Sequence, residues 1–167
     1  MDKPLLLVDV DGVLNVFGFS WEGYEEPDSE LEKVFEAMGW TIRFPTGTAQ
    51  RMARLSEAFD CVWATTWEER ANDLIAPHLG VGADWPVIKF KGWARHPTWK
   101  LPDVRKWCED NARGRRVAWL DDDLHGDAEE WAAKRTEGGE PTVLVSTHNE
   151  KGLTDRLTRE LMEWAGV

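Results

Sequence analysis

Five short, almost unbroken apolar runs constrain the fold of this chain more than any other feature; they cover 5–10, 61–64, 86–90, 117–120 and 142–145. A strand with one face in water alternates polar and apolar residues. Continuous runs of this length suit strands covered on both faces. Helical patterns lie between them. Residues 48–59 place Met52, Leu55 and Phe59 on one face at spacings of three and four. Residues 102–112 open with a proline where the first turn tolerates it and align Val104, Trp107 and Cys108. Segments 129–135 and 153–164 complete the set. Such alternation predicts an α/β fold: a Rossmann-like parallel sheet of about five strands with helices on both faces. Ligands of these sheets bind beyond the carboxyl ends of the strands.

The 167 residues leave room for one domain, 1–167, and no repeat or low-complexity tract divides them. Residues 16–47 break the alternation. They are rich in aromatics, glycine and acid, and read as a flap inserted after the first strand. No apolar run approaches the ~20 residues of a membrane helix, and Leu5 to Val8 is too short for a secretory signal. Cys61 and Cys108 are far apart and lack a CxxC partner, which fits two packed thiols in a reducing, cytoplasmic setting. A net charge of −11 repels polyanions and disfavours non-specific binding of nucleic acid. The densest basic strip, Arg113, Arg115 and Arg116, reads as a solvated loop. Eleven tryptophans are expected mostly in the core or lining a cleft.

Two acidic clusters stand where the ligand site of such a sheet belongs. The first run leads into Asp9-Val10-Asp11-Gly12-Val13-Leu14-Asn15. In an extended strand Asp9 and Asp11 start on one side, and Gly12 lets the chain leave by a conformation closed to other residues. The fourth run ends in Asp121-Asp122-Asp123, with Asp127 four positions on. Carboxylates gathered at a strand end repel unless a cation intervenes, so a shared oxygen-loving ion such as Mg²⁺ is expected.

The order of these motifs resembles the haloacid dehalogenase (HAD) superfamily of phosphohydrolases over essentially the whole chain. The D-x-D-G motif of that superfamily is similar to Asp9 to Gly12, which implies Asp9 as nucleophile and Asp11 as general acid/base. Its second motif, an apolar strand ending in Thr or Ser, resembles Val62-Trp63-Ala64-Thr65. Its third, a lysine ahead of a helix, resembles Lys100. Its fourth is similar to Asp122 and Asp127, with Asp121 standing where the family often has glycine. The strings W-A-T-T-W-E-E-R-A-N and W-L-D-D-D resemble small bacterial and phage HAD domains, whose relatives include domains attached to RNA-repair enzymes.

The resemblance implies a Mg²⁺-dependent phosphatase that hydrolyses a phosphomonoester through an aspartyl phosphate. Asp9, Asp122 and Asp127, the further acid of the fourth motif, would hold the ion together with the backbone carbonyl of Asp11. The Thr65 hydroxyl, or that of Thr66 if the strand ends a residue later, would bind phosphoryl oxygens with Lys100, beside Gly12. The short gaps between motifs leave room for a minimal cap only, which favours a bulky or macromolecular phosphoester. The charge favours a small or locally recognised one. Two other functions compete: an inactive HAD-like binding or sensor module, and a phosphatase that processes nucleic-acid ends. The oligomeric state is not legible.

Overall fold

A computed structural model describes residues 2–82, 84–92 and 95–167 of the chain, with Phe19 by its backbone alone. Four strands, β1 (Leu5–Val8), β6 (Asp60–Trp63), β7 (Val117–Asp121) and β8 (Thr142–Ser146), form a sheet in the order β6-β1-β7-β8. Every pairing in it is parallel. Strand β1 lies in the middle, with Leu5 opposite both Asp60 and Val117, so the chain positions after Val8, Trp63 and Leu120 emerge together.

The period-2 alternation sorts the apolar runs onto two cores. Leu6, Val8, Cys61, Trp63, Ala118 and Leu120 face one side, and Leu5, Leu7, Val62, Ala64, Val117 and Trp119 the other. On the first side pack Met52 and Leu55 of α1 (Thr48–Ala58) and Leu157 and Leu161 of α5 (Asp155–Ala165). On the second lie Leu101, Val104 and Cys108 of α3 (Leu101–Asn111) and Ala128 of α4 (Gly126–Glu137). Helices therefore cover both faces, which is why these strands carry no polar stripe. Trp63 and Trp119, fully buried on opposite faces, are the largest side chains in the two cores.

The run 86–90 contributes less than a full strand. Val87 makes a single parallel bridge to Trp63, where Trp63 N donates to Pro86 O and Ile88 N to Trp63 O. Proline has no N–H to continue the ladder, and by Phe90 the amide has turned to the Glu68 side chain at 3.2 Å. After Trp63 the chain makes a turn, a π-helical turn over Ala71–Ile75 and the short α2 (Ala76–Leu79).

Residues 16–47 hold two antiparallel hairpins, β2 (Gly18–Ser20) with β3 (Gly23–Glu25) and β4 (Leu31–Ala37) with β5 (Trp40–Pro45). Ile42 and Phe44 of β5 are buried in the first core. The peptide of Phe17 is tied to Asn149, beyond the end of β8, by bonds of 2.9 and 2.8 Å.

Candidate active site

The sheet delivers its acids at the carboxyl ends of neighbouring strands β1 and β7. Asp9 N still donates to Leu120 O at 3.1 Å, so the nucleophile candidate is held by strand pairing. The chain then coils tightly: Val10 O accepts from Val13, Leu14 and Asn15 at 3.2, 2.8 and 2.9 Å. Gly12 sits at φ +77°, and a Cβ there would lie 2.1 Å from Asp122 Oδ2. Only glycine lets the two acidic loops approach this closely. Thr147 fastens the coil from the side, its hydroxyl donating to Gly12 O at 2.7 Å and its amide to Asp121 O at 3.1 Å.

Asp9, Asp121 and Asp122 each present a carboxylate oxygen within 4.8 Å of the others. Asp121 is wholly buried and Asp9 is 5% exposed. Lys100, also buried, places Nζ 2.8 Å from an oxygen of Asp9 and of Asp121. Two like charges about 5 Å apart repel by roughly 3–4 kcal/mol at an effective dielectric constant of about 20. One ammonium offsets one of three carboxylates, and the remainder is left in a largely dry site. Burial pushes Asp9 up to about 8, with Asp121 adding to it and Lys100 opposing. Burial and then Asp121 push Asp122 to about 6. Burial would depress Lys100, but Asp9 and Asp121 outweigh it and hold the ammonium charged above the usual lysine range. Surplus negative charge, oxygen-only donors and the glycine cradle fit a hard divalent cation.

Asp11 points its carboxylate elsewhere. Asn15 Nδ2 donates to one oxygen at 2.7 Å and Trp67 Nε1 to the other at 2.9 Å. Asn15 is buried and accepts from Arg43 N at 2.8 Å, so the second hairpin helps to hold Asp11. Trp67 follows β6 closely: its amide faces the fully buried Thr65 hydroxyl at 3.4 Å, while Thr66 is exposed. The next residue, Glu68, has φ +49°, an uncommon conformation for a residue with a side chain.

Asp127 is not brought into the group of three. Its carboxylate accepts from the Thr98 hydroxyl at 2.7 Å, the Thr98 amide at 3.2 Å and Ala128 N at 3.0 Å. Its burial is outweighed by those bonds, which hold its carboxyl below the usual range. It thereby fixes Thr98, two residues before Lys100. His125, between Asp122 and Asp127, is exposed and pairs with Asp123 at 2.7 Å.

Sequence reasoning did not find three contributors. Asp121 reads as an oddity of the fourth motif, yet it is the most buried of the acids. Asn15 stood inside the quoted first motif, four positions after Asp11. Trp67 stood inside the string W-A-T-T-W-E-E-R-A-N, but nothing there pointed to Asp11, because the bond between them spans 56 positions of sequence.

Comparison with protein families finds a match over residues 5–157 to the family described as the HAD domain in Swiss Army Knife RNA repair proteins. No match was found among curated proteins. No helix among the described residues is long and apolar enough to cross a membrane.

Proposed function

The chain belongs to the family of HAD domains in Swiss Army Knife RNA repair proteins, and on that premise we propose that it is a Mg²⁺-dependent phosphatase forming an aspartyl phosphate on Asp9. The observation that carries this reading is the placement of Asp9, buried at the end of β1, within 2.8 Å of Lys100 and inside a group of three carboxylates. Asp9, Asp122 and the main-chain carbonyl of Asp11 would hold the ion, with Asp121 beside them. Mg²⁺ there would screen the negative charge that otherwise keeps a carboxylate from a phosphoryl group.

The chain's own residues supply the remainder. An Asp9 carboxylate oxygen attacks phosphorus, and the bond from phosphorus to the leaving oxygen breaks as Asp11 delivers a proton to it. Asp11, now a carboxylate, takes a proton from the water that attacks the aspartyl phosphate, releasing phosphate and restoring Asp9. Lys100 and the Thr65 hydroxyl bind phosphoryl oxygens, where charge grows in the transition state. Thr65 is preferred to Thr66 because it is buried at the strand end beside Trp67. Asp127 acts indirectly, by fixing the approach to Lys100.

The substrate we infer is a phosphomonoester at a nucleic-acid end, in keeping with the RNA-repair association of the family. We read residues 1–167 as one domain and the two hairpins of 16–47 as its flap. The free, buried Cys61 and Cys108 support a reducing, cytoplasmic setting. Phosphate release from 3′- and 5′-phosphorylated oligoribonucleotides, nucleotides and sugar phosphates, with Mg²⁺ and with EDTA, tests the reading. Turnover should require Mg²⁺ and fall by about 10³-fold or more in Asp9→Asn. Equal rates in the chelator, or in Asp9→Asn, would sink it.

A further inference from the structure

The chain carries 31 acids against 20 basic residues, yet 85–102 holds Lys89, Lys91, Arg95 and Lys100 and no acid. Lys100 belongs to the site. Basic residues elsewhere are often neutralised where they lie, as Arg43 is by Glu26, Arg51 by Asp155 and Arg135 by Glu140. Lys89 is shared by Glu68 and Glu69. Lys91 and Arg95 are exposed and form no ion pair among the described residues, and His96 is exposed beside them.

This stretch is fastened to the site at both ends. It leaves the sheet at Val87, which bridges Trp63, two residues before Thr65. Phe90 N donates to Glu68 at 3.2 Å and Lys91 N to Asp103 at 3.0 Å. Downstream, Thr98 is gripped by Asp127 and accepts from His125 N at 2.9 Å. Two residues later, Lys100 reaches Asp9. Free positive charge thus sits on the chain linking the candidate phosphate-binding threonine to the candidate phosphate-binding lysine. The first hairpin and the residues that follow it are the opposite in character, with exposed Glu22, Glu25, Glu26 and Asp28.

We propose that Lys91 and Arg95, flanked by Lys89 and His96, receive the sugar-phosphate backbone of a single-stranded RNA whose phosphorylated end enters the site. The proposal rests on the phosphatase reading above and adds the surface that selects the substrate. A lone phosphate needs no charge beyond Lys100 and the ion; cations displaced along the chain have a use only when further phosphates follow the first. A duplex would bring a second charged strand against a protein of net charge −11, whereas a single strand can follow one basic strip. The acidic surroundings confine the attraction to the few phosphates nearest the end.

The test is fluorescence anisotropy of a labelled single-stranded oligoribonucleotide with a phosphorylated end, using wild type and Lys91→Glu/Arg95→Glu. A second double reversal, Arg54→Glu/Arg159→Glu on α1 and α5, makes the same change in net charge at exposed positions elsewhere. Two backbone contacts, at a slope of about −0.7 each, predict that wild-type affinity falls about 7-fold between 50 and 200 mM salt. Lys91→Glu/Arg95→Glu should bind at least about 10-fold more weakly at the lower salt and lose most of that dependence, while the control stays within about 3-fold of wild type. In turnover, the ratio of oligonucleotide to p-nitrophenyl phosphate kcat/KM should fall in the strip variant alone. A wild type that ignores RNA, leaving the strip to an acidic protein partner, overturns the proposal, as does equal weakening in both double variants. Because binding is read without turnover, RNA binding that depends on the strip in a protein that never hydrolyses would sink the phosphatase reading and leave the strip standing. Hydrolysis of phosphorylated ends with no difference between the double variants would sink the strip alone.

Discussion

Asp11 accepts from Asn15 Nδ2 and Trp67 Nε1, one donor to each oxygen, whereas Asp9 is drawn into the lysine-bridged cluster. Two acids only two positions apart are thereby given different surroundings, as a nucleophile and a proton carrier require. If Asp11 serves the leaving group, its loss should depend on how much protonation that group needs. Asp11→Asn should still let Asp9 attack p-nitrophenyl phosphate, whose leaving group needs little help, but the aspartyl phosphate should then persist for lack of a base. Acid-quenched samples should contain labelled protein in Asp11→Asn and none in Asp9→Asn. Trp67→Phe removes one hydrogen bond to a charged acceptor, a contribution of about 1.5–3 kcal/mol. It should lower kcat for an alkyl phosphate by about 10-fold or more and affect p-nitrophenyl phosphate less. A uniform loss on both substrates would mean that Trp67 supports the fold and not Asp11.

The elements were legible to the degree that burial repeats along the chain. β1, β6 and β7 are interior or nearly so, and their unbroken apolar runs announce it, as do the one-sided faces of α1, α3 and α5. The run 86–90 looked alike in composition, but Pro86 has no amide to donate and Glu68 takes over the amide of Phe90, so pairing stops after one bridge. The π-helical turn and α2 carry no such period; they are short, and Pro77 stands within them. Strand ends were equally readable as the place of the acids, because β1 and β7 pair in register. The contacts of Asp121, Asn15 and Trp67 were not, since they depend on side chains reaching across elements. The loop after β1 offers a test at this scale. Gly12→Ala sets a Cβ at 2.1 Å from Asp122 Oδ2, at φ +77°. Gly80→Ala imposes a similar backbone cost at φ +68° with no atom within 4 Å. Gly80→Ala should lose about 1 kcal/mol of stability and Gly12→Ala more, and only Gly12→Ala should displace Asp122 and weaken Mg²⁺ binding by about 10-fold or more in calorimetry. Equal Mg²⁺ affinity in the two variants would mean that Asp122 is not a ligand.

For the whole molecule, the acid cluster makes folding depend on pH in a direction set by whether a cation is bound. Without metal, burial raises Asp9 to about 8 and Asp122 to about 6, both above the unfolded value of 3.8. Only well below pH 3.8 do the folded and unfolded chains bind nearly the same protons at these groups. As pH rises through 4 to 8, the unfolded chain gives up protons that the folded site retains, so each unit of pH costs the folded state free energy. Lys100, raised above its ordinary range, stays charged throughout this window and leaves the slope unchanged. His78, lowered by burial and by Lys33, adds a small slope of opposite sign, so the comparison must be made against a variant and not against pH alone. One pKa unit is about 1.4 kcal/mol, so Asp9 should cost about 3 kcal/mol between pH 5.5 and 8, and Asp122, with allowance for its partial exposure, less than about 1 kcal/mol. At about 2–4 °C per kcal/mol for a chain of this size, the melting temperature in EDTA should fall by about 6–12 °C over that interval. Asp122→Asn removes its own share of that cost, less than about 1 kcal/mol, so its fall should be smaller by up to about 2–4 °C. Saturating Mg²⁺ replaces the retained protons, so it should raise the wild-type melting temperature more at pH 8 than at pH 5.5, and should raise that of Asp122→Asn little at either. Parallel melting curves for wild type and Asp122→Asn across pH, with and without Mg²⁺, would show that the three acids do not act as one charged site.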